Sequence, residues 1–308
     1  MSLHVTVAIV GFRSASDIAR CLEALAASTY ADFAVMICEN GGAAAYDDLV
    51  ATIPKALRAG QAVRTVQSEG NLGFAAGVNR CLAETATSDA WWVLNPDTEP
   101  CAFALEALVT RLVAGDCDAV GSTLELPGGR VQSHGGRWRP WLARAESIGL
   151  GTAVADAVDA AAVERTQSYL NGASMLISRR FLSSVGPMRE DYFLYCEEVA
   201  WCLRAARMGL RLGFAPGSRI LHRQGATTGA GQAEAARPRL PVYLGERNKM
   251  LLTRDFFPAR LPVAAMAALA LLSIRYLRRG AWRQWGYGIA GWWAGLRDER
   301  GPPIWLEP

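Results

Sequence analysis

The regular alternation of short apolar runs with helical patterns in the first hundred residues most constrains the fold. Residues 4–10 form a run rich in β-branched side chains. After it, Ile18, Leu22 and Leu25 recur at the spacing of one helix face. Further apolar runs cover residues 33–38, 62–66 and 90–94, and a helical pattern covers 74–85. This alternation predicts an α/β fold with a mostly parallel, doubly wound sheet flanked by helices.

Three of these apolar runs are followed directly by a polar cluster. Glu39 comes after the second run, Asn71 and Gly73 after the third, and Asn95 and Asp97 after the fourth. Ligands of doubly wound sheets bind beyond the carboxyl ends of the strands. We therefore expect these side chains to line one crevice.

Asp97 is the candidate metal ligand of this crevice. A carboxylate at a strand end can bind Mg²⁺ or Mn²⁺ through oxygen, and the metal then stabilises charge on a diphosphate. The alternative is an ordinary turn aspartate after Pro96. His222, which follows an apolar segment at 219–221, is a candidate second ligand, and the alternative is a simple hydrogen-bonded histidine.

Two other acidic sites suit binding and catalysis. Glu39 can accept the ring N–H of uracil or thymine, or bind ribose hydroxyls, and a turn or cap acid is the alternative. Glu197 and Glu198 open a predicted helix at 198–208. The helix N-terminus would keep a carboxylate ionised there, as a general base requires. A helix-stabilising acid in the first turn is the alternative.

Composition narrows the class of protein. A net charge of +3 over 308 residues, with no dense basic stripe, argues against nucleic-acid binding. Seven cysteines without a CxxC pair indicate a reduced, cytoplasmic compartment. The first ten residues lack the charged and long apolar regions of a signal peptide.

The last part of the chain differs in composition from the rest. No acidic residue occurs between Asp255 and Asp298, an interval rich in arginine and tryptophan. Residues 261–274 are nearly all apolar but are fewer than the roughly 20 that span a bilayer. This tail favours contact with a membrane interface. Packing on the domain, or a homodimer seam, is the alternative.

Taken in order, these motifs resemble glycosyltransferase family 2, especially its rhamnosyltransferase-like bacterial members. The resemblance covers residues 5–250 and includes ENGG, NLGFAAGVNRCL, WWVLNPDTEP, YLNGASMLISRRFL, DYFLYCEEVAWCLRAARMGLRL and GERNK. It implies a GT-A fold, a divalent metal and inverting transfer from a nucleoside-diphosphate sugar, with UDP- or dTDP-sugars favoured. It further implies that the acceptor is a glycan or a polyprenyl-linked saccharide.

The resemblance also implies a role for individual residues. Glu198 matches the catalytic base, with Glu197 as the alternative, and Asp97 and His222 match the metal site. The implied donor-binding residues are Phe12, Arg13, Glu39, Asn71, Gly73, Asn95, Asp97 and Arg247, the last paired with Asn248 near the phosphates. The implied acceptor-binding residues are Gly172, Ala173 and Trp201.

Three departures from the family pattern favour a second hypothesis. The family usually has aspartate at Glu39 and Glu198, and another acid at Ala200. A degenerate homologue that binds a nucleotide sugar or a glycan without transfer is therefore the alternative. A nucleotidyltransferase would need a glycine-rich triphosphate loop, for which residues 11–14 hold too little glycine.

The resemblance divides the chain into two parts. Residues 1–250 form the expected GT-A domain, with a nucleotide-sugar half at 1–125 and an acceptor half at 126–250. Residues 226–238, rich in glycine and alanine, are expected to form a mobile lid. Residues 251–308 form the expected C-terminal helical extension.

Overall fold

A computed structural model describes residues 3–223 and 232–306. Its strands are β1 Val5–Gly11, β2 Phe33–Glu39, β3 Val63–Gln67, β4 Ala90–Leu94, β5 Thr98–Pro100, β6 Ala119–Leu126, β7 Arg130–Ser133, β8 Gly136–Arg139, β9 Arg144–Ser147, β10 Ser174–Ser178 and β11 Leu212–His222. Its α-helices are α1 Ala15–Leu25, α2 Ala43–Thr52, α3 Phe74–Glu84, α4 Ala104–Val113, α5 Ala160–Thr166, α6 Arg179–Val185, α7 Glu197–Arg207, α8 Arg239–Phe256, α9 Leu261–Leu277 and α10 Trp282–Leu296.

The main sheet confirms the predicted fold class. Its strand order is β3-β2-β1-β4-β10-β6-β11-β5, with β7 paired to β6. The pairs β1–β2, β2–β3, β1–β4 and β6–β11 are parallel. β10 lies between β4 and β6 and runs antiparallel to both. The sheet is therefore mostly parallel, with its second half reached through a reversed strand.

Helices cover both faces of the sheet, and this arrangement explains why its central strand β4 is apolar throughout. In β4, Trp91 and Val93 pack on one core and Trp92 and Leu94 on the other. Successive side chains of a strand point to opposite faces, so both must be apolar when both faces are buried. Helices α1 and α4 cover one face, and α7 and α9 contribute to the core of the other.

Two regions of weak sequence pattern are more regular than expected. The apolar segment at 219–221 is part of one long strand, β11, which has a register shift between Ala215 and Arg219. Pro216 cannot donate a ladder hydrogen bond, which fits an irregularity at this point. Residues 126–151, whose sequence shows little apolar periodicity, form β7 at the sheet edge and the β8–β9 hairpin.

The C-terminal helices pack on the domain. α8 runs without a break across residue 250, the predicted boundary. A Cβ added to Gly291 of α10 would lie 2.1 Å from the carbonyl oxygen of Tyr243 in α8. The missing side chain thus allows the two backbones to touch. The predicted lid at 226–238 falls outside the described residues up to position 231.

One helical segment, residues 258–277, has the length and apolar composition of a membrane span. It is longer than the apolar run at 261–274, because the helical conformation continues through Arg275 to Leu277. About 28% of it is buried against the rest of the protein. Length and composition alone therefore do not decide between a span and a surface helix.

Candidate functional site

Glu39 ends β2 and is fully buried beside the loop that follows β1. Its Oε1 accepts hydrogen bonds from the backbone N–H groups of Arg13 (2.9 Å) and Gly41 (2.7 Å). Its Oε2 is buried and has no hydrogen-bond partner among the described residues. Arg13 has a φ of +55° and places its guanidinium 5.2 Å from the Phe12 ring centre. Glu39 therefore holds the loop after β1 through Oε1, and its Oε2 remains available to accept a hydrogen bond.

The loop before α3 packs directly on the loop before α7. Gly73 has a φ of +83°, and a Cβ there would lie 2.2 Å from the carbonyl oxygen of Phe193. The Phe74 N–H donates to that same carbonyl at 2.9 Å. Asn71 Oδ1 accepts from the Gly73 N–H, and Asn40 Nδ2 donates to the Gly73 carbonyl. Gly73 thus connects the predicted donor half to the segment that carries Glu197 and Glu198.

Asp97 and His222, predicted as a pair, are adjacent and buried. His222 Nε2 lies 3.3 Å from Asp97 Oδ1, because β11 pairs with β5 in a register that places His222 opposite Thr98. His222 Nδ1 lies 2.8 Å from Gln132 Oε1, so Nδ1 carries the proton of that bond. Nε2 and the carboxylate oxygen therefore face each other in a buried position, where both could contact one cation.

The segment before α7 has an unusual backbone. Phe193, Tyr195 and Cys196 all have positive φ values, between 67° and 75°. Non-glycine residues rarely adopt this conformation, and it persists only where the surroundings hold it. Asn248 of α8 lies within 3.0 Å, through Nδ2, of the carbonyl oxygens of residues 192, 194 and 195. We call this contact the Asn248 clamp.

Arg247 supports the same segment from a buried position, whereas the sequence prediction places it in contact with donor phosphates. The side chain is 1% exposed. Its Nη2 donates to the Tyr192 carbonyl at 3.0 Å and its Nη1 to the Gly301 carbonyl at 2.7 Å. The Nε group donates to Asn248 Oδ1 at 2.9 Å, which orients the clamp amide. All three guanidinium nitrogens are thus engaged by groups of the protein itself.

Glu197 and Glu198 open α7, as predicted, but their electrostatics differ from the expectation. Glu197 is 3% exposed, and its Oε2 has no hydrogen-bond partner in the described part of the chain. Burial, and then the charge of Glu198, raise the pKa of Glu197. Burial also raises the pKa of Glu198, although backbone N–H groups of the first turn act in the opposite direction. Burial thus outweighs the helix N-terminus, which was expected to keep the base ionised.

Glu198 lies against the predicted acceptor loop. A Cβ on Gly172 would lie 3.4 Å from Cβ and Cγ of Glu198 and 3.7 Å from the Phe74 ring. Next to Gly172, the carbonyl of Ala173 accepts the Asn95 N–H at 3.0 Å. A short path of contacts therefore joins Glu198, the 172–173 loop and the loop that carries Asp97.

Trp201, predicted as an acceptor-site residue, lies in the core and not at this surface. The side chain is fully buried in the core, edge-on to Phe181 at 5.0 Å between ring centres. Its Nε1 donates to the Gly186 carbonyl at 2.8 Å. Trp201 is on the inward face of α7, three residues after Glu198, whereas the acceptor loop contacts the first turn.

The sequence did not single out two residues that organise the site. Gln132, on β7 and 90 positions earlier in the chain, orients His222. Asn248 was grouped with Arg247 as a phosphate contact but holds the backbone before α7. The only signal in the sequence was that each is a polar residue within a strand or helix that otherwise contributes to the core.

Solved structures of similar proteins show which fold class this protein has. The mannosyltransferase PcManGT from Pyrobaculum calidifontis, solved in complex with GDP-Man and Mn²⁺, aligns with a TM-score of 0.57 at 17% identity, over 97% of this chain and 88% of that chain. GalNAc-T7, solved with UDP, GalNAc and Mn²⁺, aligns with a TM-score of 0.56 at 14% identity, over 80% of this chain and 51% of that chain. The protein has the GT-A fold of glycosyltransferases.

The family follows from the sequence. A model of the family described as glycosyltransferase like family 2 matches residues 3–242. The chain belongs to this family and is a glycosyltransferase. A curated relative, the N-acetylglucosaminyl-diphospho-decaprenol L-rhamnosyltransferase of Mycobacterium tuberculosis, is 24% identical over 79% of this chain and 84% of the relative.

Proposed function

We propose that the protein is an inverting glycosyltransferase that moves a sugar from a UDP- or dTDP-sugar to a hydroxyl of a glycan or polyprenyl-linked saccharide. The buried pair of Asp97 and His222, 3.3 Å apart, carries this proposal. It is joined through the Asn95 and 172–173 loops to Glu198, so that a donor diphosphate and an acceptor hydroxyl would meet between them. The relative from Mycobacterium tuberculosis, whose name includes a decaprenol-linked saccharide and rhamnose, supports this acceptor class and a deoxyhexose.

The donor nucleoside would bind beside Glu39. Its unpartnered Oε2 supplies an acceptor that a pyrimidine ring N–H can satisfy, and a buried unpaired carboxylate oxygen is otherwise costly. Phe12 and Arg13 lie at the opening of the same loop, and Arg13 is exposed. Asn71 and Gly73 would border the sugar and diphosphate, next to the first turn of α3.

Asp97 and His222 would hold Mg²⁺ or Mn²⁺. A carboxylate oxygen and an imidazole nitrogen whose other ring nitrogen is fixed by Gln132 form a suitable donor pair, and diphosphate oxygens and water would complete the coordination. The described residues contain no group of three or more metal-ligating side chains. When bound, the metal neutralises the charge that develops on the departing diphosphate.

Glu198 would act as the general base. Its carboxylate takes the proton of the acceptor hydroxyl, the hydroxyl oxygen forms a bond to the anomeric carbon, and the bond from that carbon to the diphosphate oxygen breaks. A single displacement inverts the anomeric configuration. Glu197 is the alternative base, because its Oε2 has no hydrogen-bond partner among the described residues and because burial and the charge of Glu198 raise its pKa.

Replacing Asp97 tests the metal site. We expect Asp97→Asn to lower metal-dependent turnover by about 100-fold or more, since the metal supplies several kcal/mol of charge stabilisation. Turnover is measured as nucleoside diphosphate released with a panel of donors and acceptors. Asp48→Asn, on the exposed surface of α2, is the matched control and should leave turnover unchanged. Full turnover in Asp97→Asn would disprove the metal role.

A donor screen separates transfer from binding alone. Thermal unfolding with Mn²⁺ and individual nucleotide sugars should reveal one stabilising donor, by about 2.7 kcal/mol at a concentration of 100 times Kd. That donor should then yield product with an acceptor. Stabilisation without product across the acceptor panel would contradict transfer and support the degenerate binding homologue.

A further inference from the structure

The outward face of α9 is apolar and uncovered within the described structure. Val263, Met266 and Ile274 lie on one face and are 55%, 65% and 48% exposed. The opposite face, which includes Ala268 and Leu272, is buried. Large apolar side chains repeated along one exposed helix face mark a surface that something else covers.

α9 lies on the domain and does not extend away from it. Trp292 Nε1 donates to the Ala265 carbonyl at 3.0 Å, and Trp285 Nε1 donates to Ser273 Oγ at 3.1 Å. Ala264, Ala265 and Ala268 belong to the same core as the inner side of α7. A spanning helix is surrounded by lipid along its length, whereas this helix offers lipid only its outward face.

A second element adds to the same surface. Trp141 and Leu142, 53% and 38% exposed, lie at the turn between β8 and β9. The guanidinium of Arg260, at the start of α9, lies 5.0 Å from the centre of the Trp141 ring. The hairpin turn and the first turn of α9 are therefore neighbours, although they are separated by more than one hundred residues in sequence.

The charges around this surface indicate its partner. Arg278 and Arg283 are exposed at the other end of α9 and form no ion pair with any described residue. Trp282, between them, is 66% exposed. No aspartate or glutamate occurs from residue 256 to 297. Tryptophan and arginine around an apolar helix face are typical of a headgroup boundary with anionic lipid.

We infer that the α9 outward face, Trp141, Leu142 and Trp282 form a docking face for an anionic lipid bilayer. The protein would bind peripherally, with α9 parallel to the membrane plane. The β8–β9 hairpin connects this face to the acceptor side, since the Gly136 N–H of β8 donates to the Tyr169 carbonyl at 2.9 Å. Where it concerns a lipid-linked acceptor, this inference rests on the proposed function; binding to the bilayer itself does not.

Point substitutions test the docking face in the full chain. Truncation is unsuitable, because α10 packs backbone to backbone on α8. The test is co-sedimentation with vesicles of phosphatidylglycerol and phosphatidylcholine. We expect Met266→Ser with Ile274→Ser to weaken binding by about tenfold or more, through loss of apolar burial. Arg278→Gln with Arg283→Gln should weaken it by about 30-fold, at roughly 1 kcal/mol per arginine, and added salt should weaken it further.

Phe103→Ser with Val113→Ser is the matched control. These residues are 62% and 54% exposed, and α4 packs on the core of the other face of the sheet. The control should bind vesicles like the unmodified protein. Equal binding by all variants would overturn the docking face. The docking face would also be overturned if light scattering gave the mass of a dimer for the unmodified protein and of a monomer for Met266→Ser with Ile274→Ser, because a second copy would then cover α9.

Turnover with a water-soluble acceptor distinguishes this inference from the proposed function. All three double variants should retain that turnover, because none of the changed residues lies at the proposed catalytic site. A protein that sediments with vesicles but releases no nucleoside diphosphate would contradict the proposed transfer and support the docking face. A protein that turns over the donor without vesicle binding would contradict the docking face alone.

Discussion

At the scale of single residues, the site depends on carboxylates held in environments that oppose their charge. Glu39 and Glu197 each retain one buried oxygen without a hydrogen-bond partner in the described residues. Such groups destabilise a fold unless a ligand satisfies them. Their presence at the ends of β2 and at the start of α7 is therefore better explained by binding and catalysis than by stability.

The raised pKa values of Glu197 and Glu198 predict the pH dependence of turnover. A base must be ionised, so kcat/KM should rise with pH through a value above the ordinary glutamate pKa of about 4.3. Repulsion between two carboxylates is reciprocal. Glu197→Gln should therefore lower the pKa of Glu198 and move the rising limb to lower pH.

The same pH series separates the two candidate bases. If Glu198 is the base, Glu198→Gln should lower kcat/KM by about 100- to 10,000-fold at every pH, whereas Glu197→Gln retains turnover. The opposite pattern would assign the role to Glu197. An unchanged limb in Glu197→Gln would show that the two carboxyl groups do not interact.

At the scale of elements, α8 organises the segment that precedes α7, the helix of the proposed base. The Asn248 clamp contacts three carbonyls of a segment in which three non-glycine residues have positive φ. The segment also receives Gly73 and Phe74 from the donor side. α8 therefore determines where the first turn of α7 lies relative to the donor loops.

Replacing Asn248 should disturb both stability and turnover. Asn248→Ala leaves buried carbonyls without their donor, so we expect the free energy of unfolding to fall by about 2–4 kcal/mol. We also expect kcat to fall more than KM rises, since Glu198 is displaced while the donor site is retained. Urea unfolding and steady-state kinetics measure these effects.

Gly245→Ala is the control on the same helix. A Cβ at this position has no atom within 4 Å, so alanine should stabilise α8 by about 0.5–1 kcal/mol and leave kcat unchanged. If Asn248→Ala lowered stability while kcat stayed the same, the clamp would be structural only.

At the scale of the whole molecule, the tail is part of the folded domain. Gly291 and Gly295 of α10 face the backbone of α8, and Arg300 forms ion pairs with Asp191 and Asp255. The Gly301 carbonyl accepts from Arg247, which in turn supports the segment before α7. The C-terminal residues are thus connected to the candidate active site through α8.

A glycine pair in α10 tests this attachment. Gly291→Ala places a methyl 2.1 Å from the Tyr243 carbonyl, so we expect a loss of about 1–3 kcal/mol in the free energy of unfolding. Gly286→Ala, in the same helix with nothing within 4 Å, should instead stabilise by about 0.5–1 kcal/mol. Thermal or urea unfolding of both variants gives the comparison, and equal effects would show that α10 is not tightly attached.

The sequence by itself determined the alternation of strands and helices, the fold class and the carboxylates at the strand ends. Each of these follows from local periodicity or from the end of an apolar run, which neighbouring residues specify. The positions of Asp97 and His222 as a pair followed from the resemblance in sequence, and the structure shows them in contact.

Only the tertiary structure decided the roles of Arg247, Trp201, Gln132 and Asn248. Each role depends on a partner that is distant in sequence, such as Gly301 for Arg247 or His222 for Gln132. The pKa shifts of Glu197 and Glu198 likewise arise from burial, which the local sequence at a helix start does not specify. The local sequence therefore indicated which polar residues lie at strand ends and helix starts. Long-range packing determined which groups they contact and how deeply they are buried.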